Sequence, residues 1–120
     1  MKPGPASDLE LLDYIQECIE RVEEYTQSGK SKFMDSMMMQ DATARKLQVM
    51  AESTQRLSDE IKATEPEIPW SQIAGFRNTL VHGYLDIDLE LTWVVVDQDM
   101  PILKAAVIRM HQKLRGIGQT

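Results

Sequence analysis

Leu89-Glu90-Leu91-Thr92-Trp93-Val94-Val95-Val96 is the stretch that decides the fold. A tryptophan and three consecutive valines favour an extended strand by propensity. A strand needs a neighbour for its backbone amides and carbonyls, and no second stretch of this chain reads as one. The stretch is therefore read as helix, which makes the whole chain all-α. Asp86-Ile87-Asp88 leads into it, and Asp97-Gln98-Asp99-Met100-Pro101 starts or kinks the last helix. That helix draws its apolar positions from Ile102, Leu103, Ala106, Ile108, Met110 and Leu114.

Upstream, Leu9, Leu12, Ile15, Ile19 and Val22 recur at three- and four-residue steps, which puts them on one helical face. Ser7 or Asp8 is the expected N-cap and Ser28-Gly29 the stop. Phe33-Met34-Asp35-Ser36-Met37-Met38-Met39 reads either as a short helix or as the start of the next one. Adjacent methionines cannot all face one core, so part of the run is free to fill gaps between helices or to meet a second subunit. From Asp41 the pattern supports a long helix to about Ala63, ended by Glu65-Pro66-Glu67-Ile68-Pro69. A third helix is expected from Pro69-Trp70 through Ile73, Phe76, Leu80 and Val81, stopping at Gly83. The predicted architecture is one domain over residues 1–120, an up-and-down bundle of four to five helices, with flexible ends at 1–7 and 116–120.

Composition agrees with a single folded domain: 120 residues, 42% hydrophobic and 27% charged. No stretch approaches the roughly 18 apolar residues that cross a bilayer, and Met1-Lys2-Pro3-Gly4-Pro5 lacks the apolar core of a secretion signal, so the expected setting is the cytoplasm, away from membranes. Cys18 is the one cysteine, which excludes an intrachain disulfide and argues against a thiolate metal site. The net charge of −6 argues against the broad basic surface that drives non-specific DNA binding. Seven of the 19 acids and one of the 13 bases lie between Asp8 and Glu24, so the first helix carries the whole excess. The remainder is balanced and free to hold a positive pocket. The acidic face reads as a solvated wall or as a docking face for a basic partner.

Two histidines are candidates for acid–base work near neutral pH. His111 lies among helix formers with Arg109, Lys113 and Arg115 and reads as a surface histidine. His82 keeps different company in Phe76-Arg77-Asn78-Thr79-Leu80-Val81-His82-Gly83-Tyr84. Asn78 and His82 are four apart, Arg77 carries a planar fork matched to phosphate oxygens, and Tyr84 follows a glycine. Such a set suits phosphodiester chemistry without a metal or other cofactor. It also suits a structural helix C-terminus, where His and Arg cap carbonyls.

The order Arg77, Asn78, three residues, His82, one residue, Tyr84 resembles the signature of HEPN-domain ribonucleases, in particular the HepT-like toxins. The flanks resemble them too: Ile68-Pro69-Trp70, Ile73-Ala74-Gly75-Phe76, the Asp86-Ile87-Asp88 step, Trp93 and a last helix containing a proline. Upstream, Asp41-Ala42, Arg45 and Met50-Ala51-Glu52-Ser53 resemble the family's second helix. Many relatives resemble Ile-Gly-Glu-Ala at the last of these, so the glutamate is kept and the glycine replaced.

The resemblance implies a homodimer with a composite cleft that binds RNA. His82 would act as general acid or base, Arg77 would stabilise charge on phosphate, Asn78 would orient a reacting group, and Tyr84 would contact RNA or position the histidine. Glu52 is either a supporting carboxylate or an ordinary helix-surface one. The resemblance further implies an MntA-like nucleotidyltransferase antitoxin that transfers AMP from ATP to Tyr84, any Mg²⁺ belonging to that partner. The alternative reading is a non-catalytic helical module that binds a nucleotidyltransferase and helps present its substrate, with a purely structural helical dimer as a third.

Overall fold

The computed structural model describes residues 5–76, 81–82 and 86–119, with side chains over 7–76 and 87–116. The first helix, α1 (Pro5–Thr26), buries Leu12, Ile15, Cys18, Ile19 and Val22 along one face. Six of its seven acids are exposed. The seventh, Asp8, is buried and is not the N-cap, because the helix already starts at Pro5. Its carboxylate instead accepts bonds from the Ser58 amide (2.9 Å) and hydroxyl (2.7 Å), fifty residues away.

Gly29, at φ 94°, turns the chain after α1 with a backbone conformation that favours glycine. α2 (Lys30–Asp35) follows, and its Phe33 is fully buried. Ser36 then caps α3 (Met37–Arg56) by accepting from the Met39 amide. The phenylalanine–methionine stretch is thus both a short helix and the start of the next. Met37 and Met38 stand in the first turn of α3, 76% and 78% exposed. α3 buries Ala44, Leu47, Met50 and Ala51 against α1.

The long helix expected from Asp41 to Ala63 is cut in two. α3 stops at Arg56, and α4 (Asp59–Ala63) starts afresh with Ser58 as its cap, accepting from the Ile61 amide at 3.2 Å. A serine hydroxyl competes with the helical ladder, and here the Asp8 carboxylate locks it in that role.

α5 (Trp70–Ala74) is also shorter than the predicted third helix. Val81 is not helical: β1 (Val81–His82) pairs antiparallel with β2 (Asp86–Ile87), Val81 opposite Ile87 and His82 opposite Asp86. A two-residue ladder satisfies backbone groups in too short a span to leave an alternating pattern in the sequence.

The decisive stretch is helical as predicted. α6 (Leu89–Val94) runs through a π-helical turn (Val95–Asp99) into α7 (Met100–Gln119). In that turn the Met100 amide reaches the Val95 carbonyl, five residues back. It lies where Pro101 has no amide and its ring would press on the carbonyl of Asp97, within the stretch expected to start or kink the last helix.

Long-range pairs set the direction of the rods. Asp8 meets Ser58, so α1 and α3 are antiparallel; Lys104 bonds Glu23 at 3.0 Å and His111 Nε2 lies 3.1 Å from Asp13, so α1 and α7 are antiparallel too. Val95, Met100, Leu103, Ala106, Val107 and Met110 complete a core shared with α1 and α3. The molecule is an all-α bundle. Among the described residues no helix is long and apolar enough to cross a membrane.

Candidate functional site

The predicted site lies between α5 and α6. Arg77, Asn78 and Tyr84 fall outside the described residues, and of His82 only the backbone, in β1, is described. The frame that carries them is described at both ends.

Its N-terminal side is held by a buried carboxylate. Glu65, at the end of the α4 segment, is 7% exposed. Arg109 donates to it through Nη2 (2.6 Å) and Nε (3.1 Å), and Lys113 through Nζ (2.8 Å). The Arg109 guanidinium, followed by Lys113, holds the Glu65 carboxyl down at about 2 despite its burial. The Trp70 indole N–H donates to the carbonyls of Lys62 and Glu65, each at 3.2 Å. Ile73 then enters the core, and the Gly75 amide closes α5 on the carbonyls of Ser71 and Gln72.

Its C-terminal side is held by a cap and a ring contact. The Asp88 carboxylate accepts from the Leu91 amide at 3.0 Å, and the Asp88 carbonyl accepts from the Thr92 hydroxyl at 2.6 Å. Trp93 packs on Phe33 with ring centroids 5.6 Å apart, and Lys30 pairs with Glu90 at 3.0 Å, so α2 braces α6. β2 lies against α3. The backbone of His82 is thereby fixed opposite Asp86, between two helices whose ends are each pinned by polar bonds.

A partly open cleft of 190 Å³ adjoins this frame. Met50, Ile68, Ile73, Phe76, Val95 and Leu103 give it apolar walls, and Glu67, Gln72 and Asp99 line it as polar residues. Phe76 is the residue immediately before Arg77.

Other candidates sort differently. Glu52 is exposed on α3 and its described contact is Arg56, 4.0 Å away and one turn on. Ala51, standing where many relatives resemble glycine, is fully buried. His111 is not a surface histidine: it is 6% exposed, between α7 and Asp13 of α1. Burial pushes the Cys18 thiol up from its ordinary value, keeping it an apolar core group rather than a nucleophile. Among the described residues no three His, Cys, Asp or Glu side chains gather to hold an ion. The Glu65 cluster and the cleft were both invisible to sequence reasoning. Glu65 sits 44 residues from Arg109, and the one hint was an acid immediately before a proline.

A family model described as "Ribonuclease HepT-like" matches residues 15–110. The chain is 36% identical over 104 residues to a Methanocaldococcus jannaschii protein named as a gamma-glutamylcyclotransferase and, provisionally, an RNase. That match takes 86% of this chain but 47% of the relative, so the chain spans about half the length of that protein. It is 33% identical over 107 residues to the "Probable ribonuclease HepT" of Thermococcus cleftensis, covering 88% of this chain and 97% of the relative. A second M. jannaschii protein, provisionally named an RNase, is 28% identical over 97 residues, 81% of this chain and 89% of its own. No solved structure gives a significant match.

Proposed function

The chain belongs to the ribonuclease HepT-like family and is a ribonuclease, and from that premise we propose that it is a metal-independent RNA endonuclease acting in the cytoplasm as the toxic half of a toxin–antitoxin pair. The observation that carries this reading is that the family match spans residues 15–110, the stretch that includes Arg77, Asn78, His82 and Tyr84. His82 takes the proton of an RNA 2′-hydroxyl, and that oxygen attacks the adjacent phosphorus. The bond to the 5′-oxygen breaks, the leaving oxygen takes up a proton, and a 2′,3′-cyclic phosphate and a 5′-hydroxyl result. Arg77 neutralises charge building on the phosphate oxygens, while Asn78 and Tyr84 orient the reacting groups. Glu52 is assigned a supporting role. Two subunits form the cleft in which the motifs of both copies face the RNA.

Regulation follows from the same tyrosine. A nucleotidyltransferase antitoxin adds AMP when the Tyr84 oxygen attacks the α-phosphorus of ATP and pyrophosphate leaves. The adenylate places an anion next to Arg77, where the RNA phosphate would otherwise sit, and repels that phosphate. Co-expression with the cognate transferase is expected to add adenylate mass at Tyr84 and to silence cleavage.

The test is cleavage of RNA in excess EDTA. Wild type is expected to cut, and His82→Ala and Arg77→Ala to lose about 10²–10⁴-fold in rate. Equal loss on chelation would sink the metal-independent mechanism. Toxicity retained in both variants would instead assign a non-catalytic module that binds the transferase.

A further inference from the structure

We propose that the cleft lined by Ile68, Ile73, Phe76 and Leu103 is a nucleobase subsite that seats one unpaired base of the RNA, with Glu67 and Asp99 accepting from the base's N–H donors. The proposal rests on the ribonuclease reading and adds to it a preference for base. RNA is read by sequence mainly where bases are unpaired, splayed into apolar seats beside aromatic rings and bonded along their edges. This cleft has that form. Its 190 Å³ is scaled to one planar ring system rather than to a partner helix, and its walls are apolar with one aromatic residue, Phe76. Ile102, also lining it, is 60% exposed; it and Ile108, both expected as apolar positions of the last helix, face solvent rather than the core.

The polar lining sets the choice of base. Glu67 and Asp99 are exposed, and the Glu67 charge also acts on the nearby Arg109. Ionised carboxylates only accept hydrogen bonds. They repel phosphate, so the nucleotide enters base first with its phosphate held outside. Guanine offers two adjacent donors, N1–H and N2–H, matched to the two oxygens of one carboxylate. Uracil offers a single N–H between two carbonyls, which the carboxylates repel. Phe76 on the cleft wall is joined directly to Arg77, so the base seat and the arginine assigned to the phosphate are consecutive in the chain.

Two measurements test it on the full chain: equilibrium binding of GMP and UMP, and cleavage of short single-stranded RNAs that differ only in one guanine or uracil. Wild type is expected to favour guanine by about tenfold in both, and Glu67→Gln with Asp99→Asn to bring the ratio to within about threefold. Both positions are exposed, so these variants are expected to fold. RNA cut with no difference between guanine and uracil would overturn the subsite and leave the ribonuclease standing. GMP preferred by wild type with no RNA cut would uphold the subsite and remove the ribonuclease reading. If Ile102→Glu converts a dimer to a monomer in sedimentation while GMP binding is unchanged, the cleft is a seat for a second copy and the proposal falls.

Discussion

The paired rods α1 and α3 and the connector from Thr64 to Asp88 are held by opposite means. The rods meet along several turns of fully buried apolar residues, Leu12, Ile15, Ile19 and Val22 against Leu47, Met50 and Ala51. Among its described residues the connector has one short helix and a two-residue ladder; it sinks only Ile68 and Ile73 into the core and adds polar anchors at its ends: Glu65 with Arg109 and Lys113, the Trp70 indole, and the Asp88 cap. Apolar packing is non-directional and distributed, so it tolerates small shifts. A hydrogen bond is local and directional, and it either holds a backbone position or does not. The proposed catalytic residues ride on the segment that is positioned by direction rather than by bulk.

Substitutions can separate the two. The largest effect is expected in the rods, where Leu47→Ala empties a fully buried site and should cost about 2–5 kcal/mol in urea denaturation. Next comes Glu65→Gln, which weakens the charged bonds while leaving the carbonyl group in place, and should cost about 1–3 kcal/mol. Its pH signature is distinct. The folded carboxyl sits at about 2 against an ordinary 4.5, so its stabilisation is complete above about 4.5 and is lost as pH falls towards 2. Wild type should therefore lose thermal stability through that window by a component that Glu65→Gln lacks. The smallest of the three is Asp88→Ala, about 1 kcal/mol for a lost cap. If this variant slows RNA cleavage by more than its stability cost explains, the connector's anchors position the site as well as hold the fold. Equal losses in rate and stability would erase the contrast.

The same contrast decides what could be read in advance. The α1 face, the α3 face and the helical state of Leu89–Val94 were legible because 3.6-residue periodicity and the demand for backbone partners act locally. The breaks were not. Leu57-Ser58 interrupts a good helical pattern because Asp8, on another helix, accepts from Ser58, and the burial of His111 depends on α1 lying over α7. The motif Arg77, Asn78, His82, Tyr84 was legible as chemistry and as a family resemblance. Its supports were not, since Glu65 finds its cations 44 and 48 residues along the chain.

The π-helical turn at Val95–Asp99 gives the last rod a phase adjustment. An α-helix advances about 100° per residue, so one extra residue in a turn rotates everything on one side of it relative to the other. Thr92 before the turn, Val95 at its first position, and Leu103, Val107 and Met110 after it all reach the interior across that offset. Deleting one residue there, Gln98 for instance, would restore plain α spacing and swing α6 about its axis. Asp88 and the ladder that fixes His82 would turn with it while α7 stayed seated on α1. The turn acts as a crankshaft, setting the angle at which the candidate site is presented to the rest of the bundle.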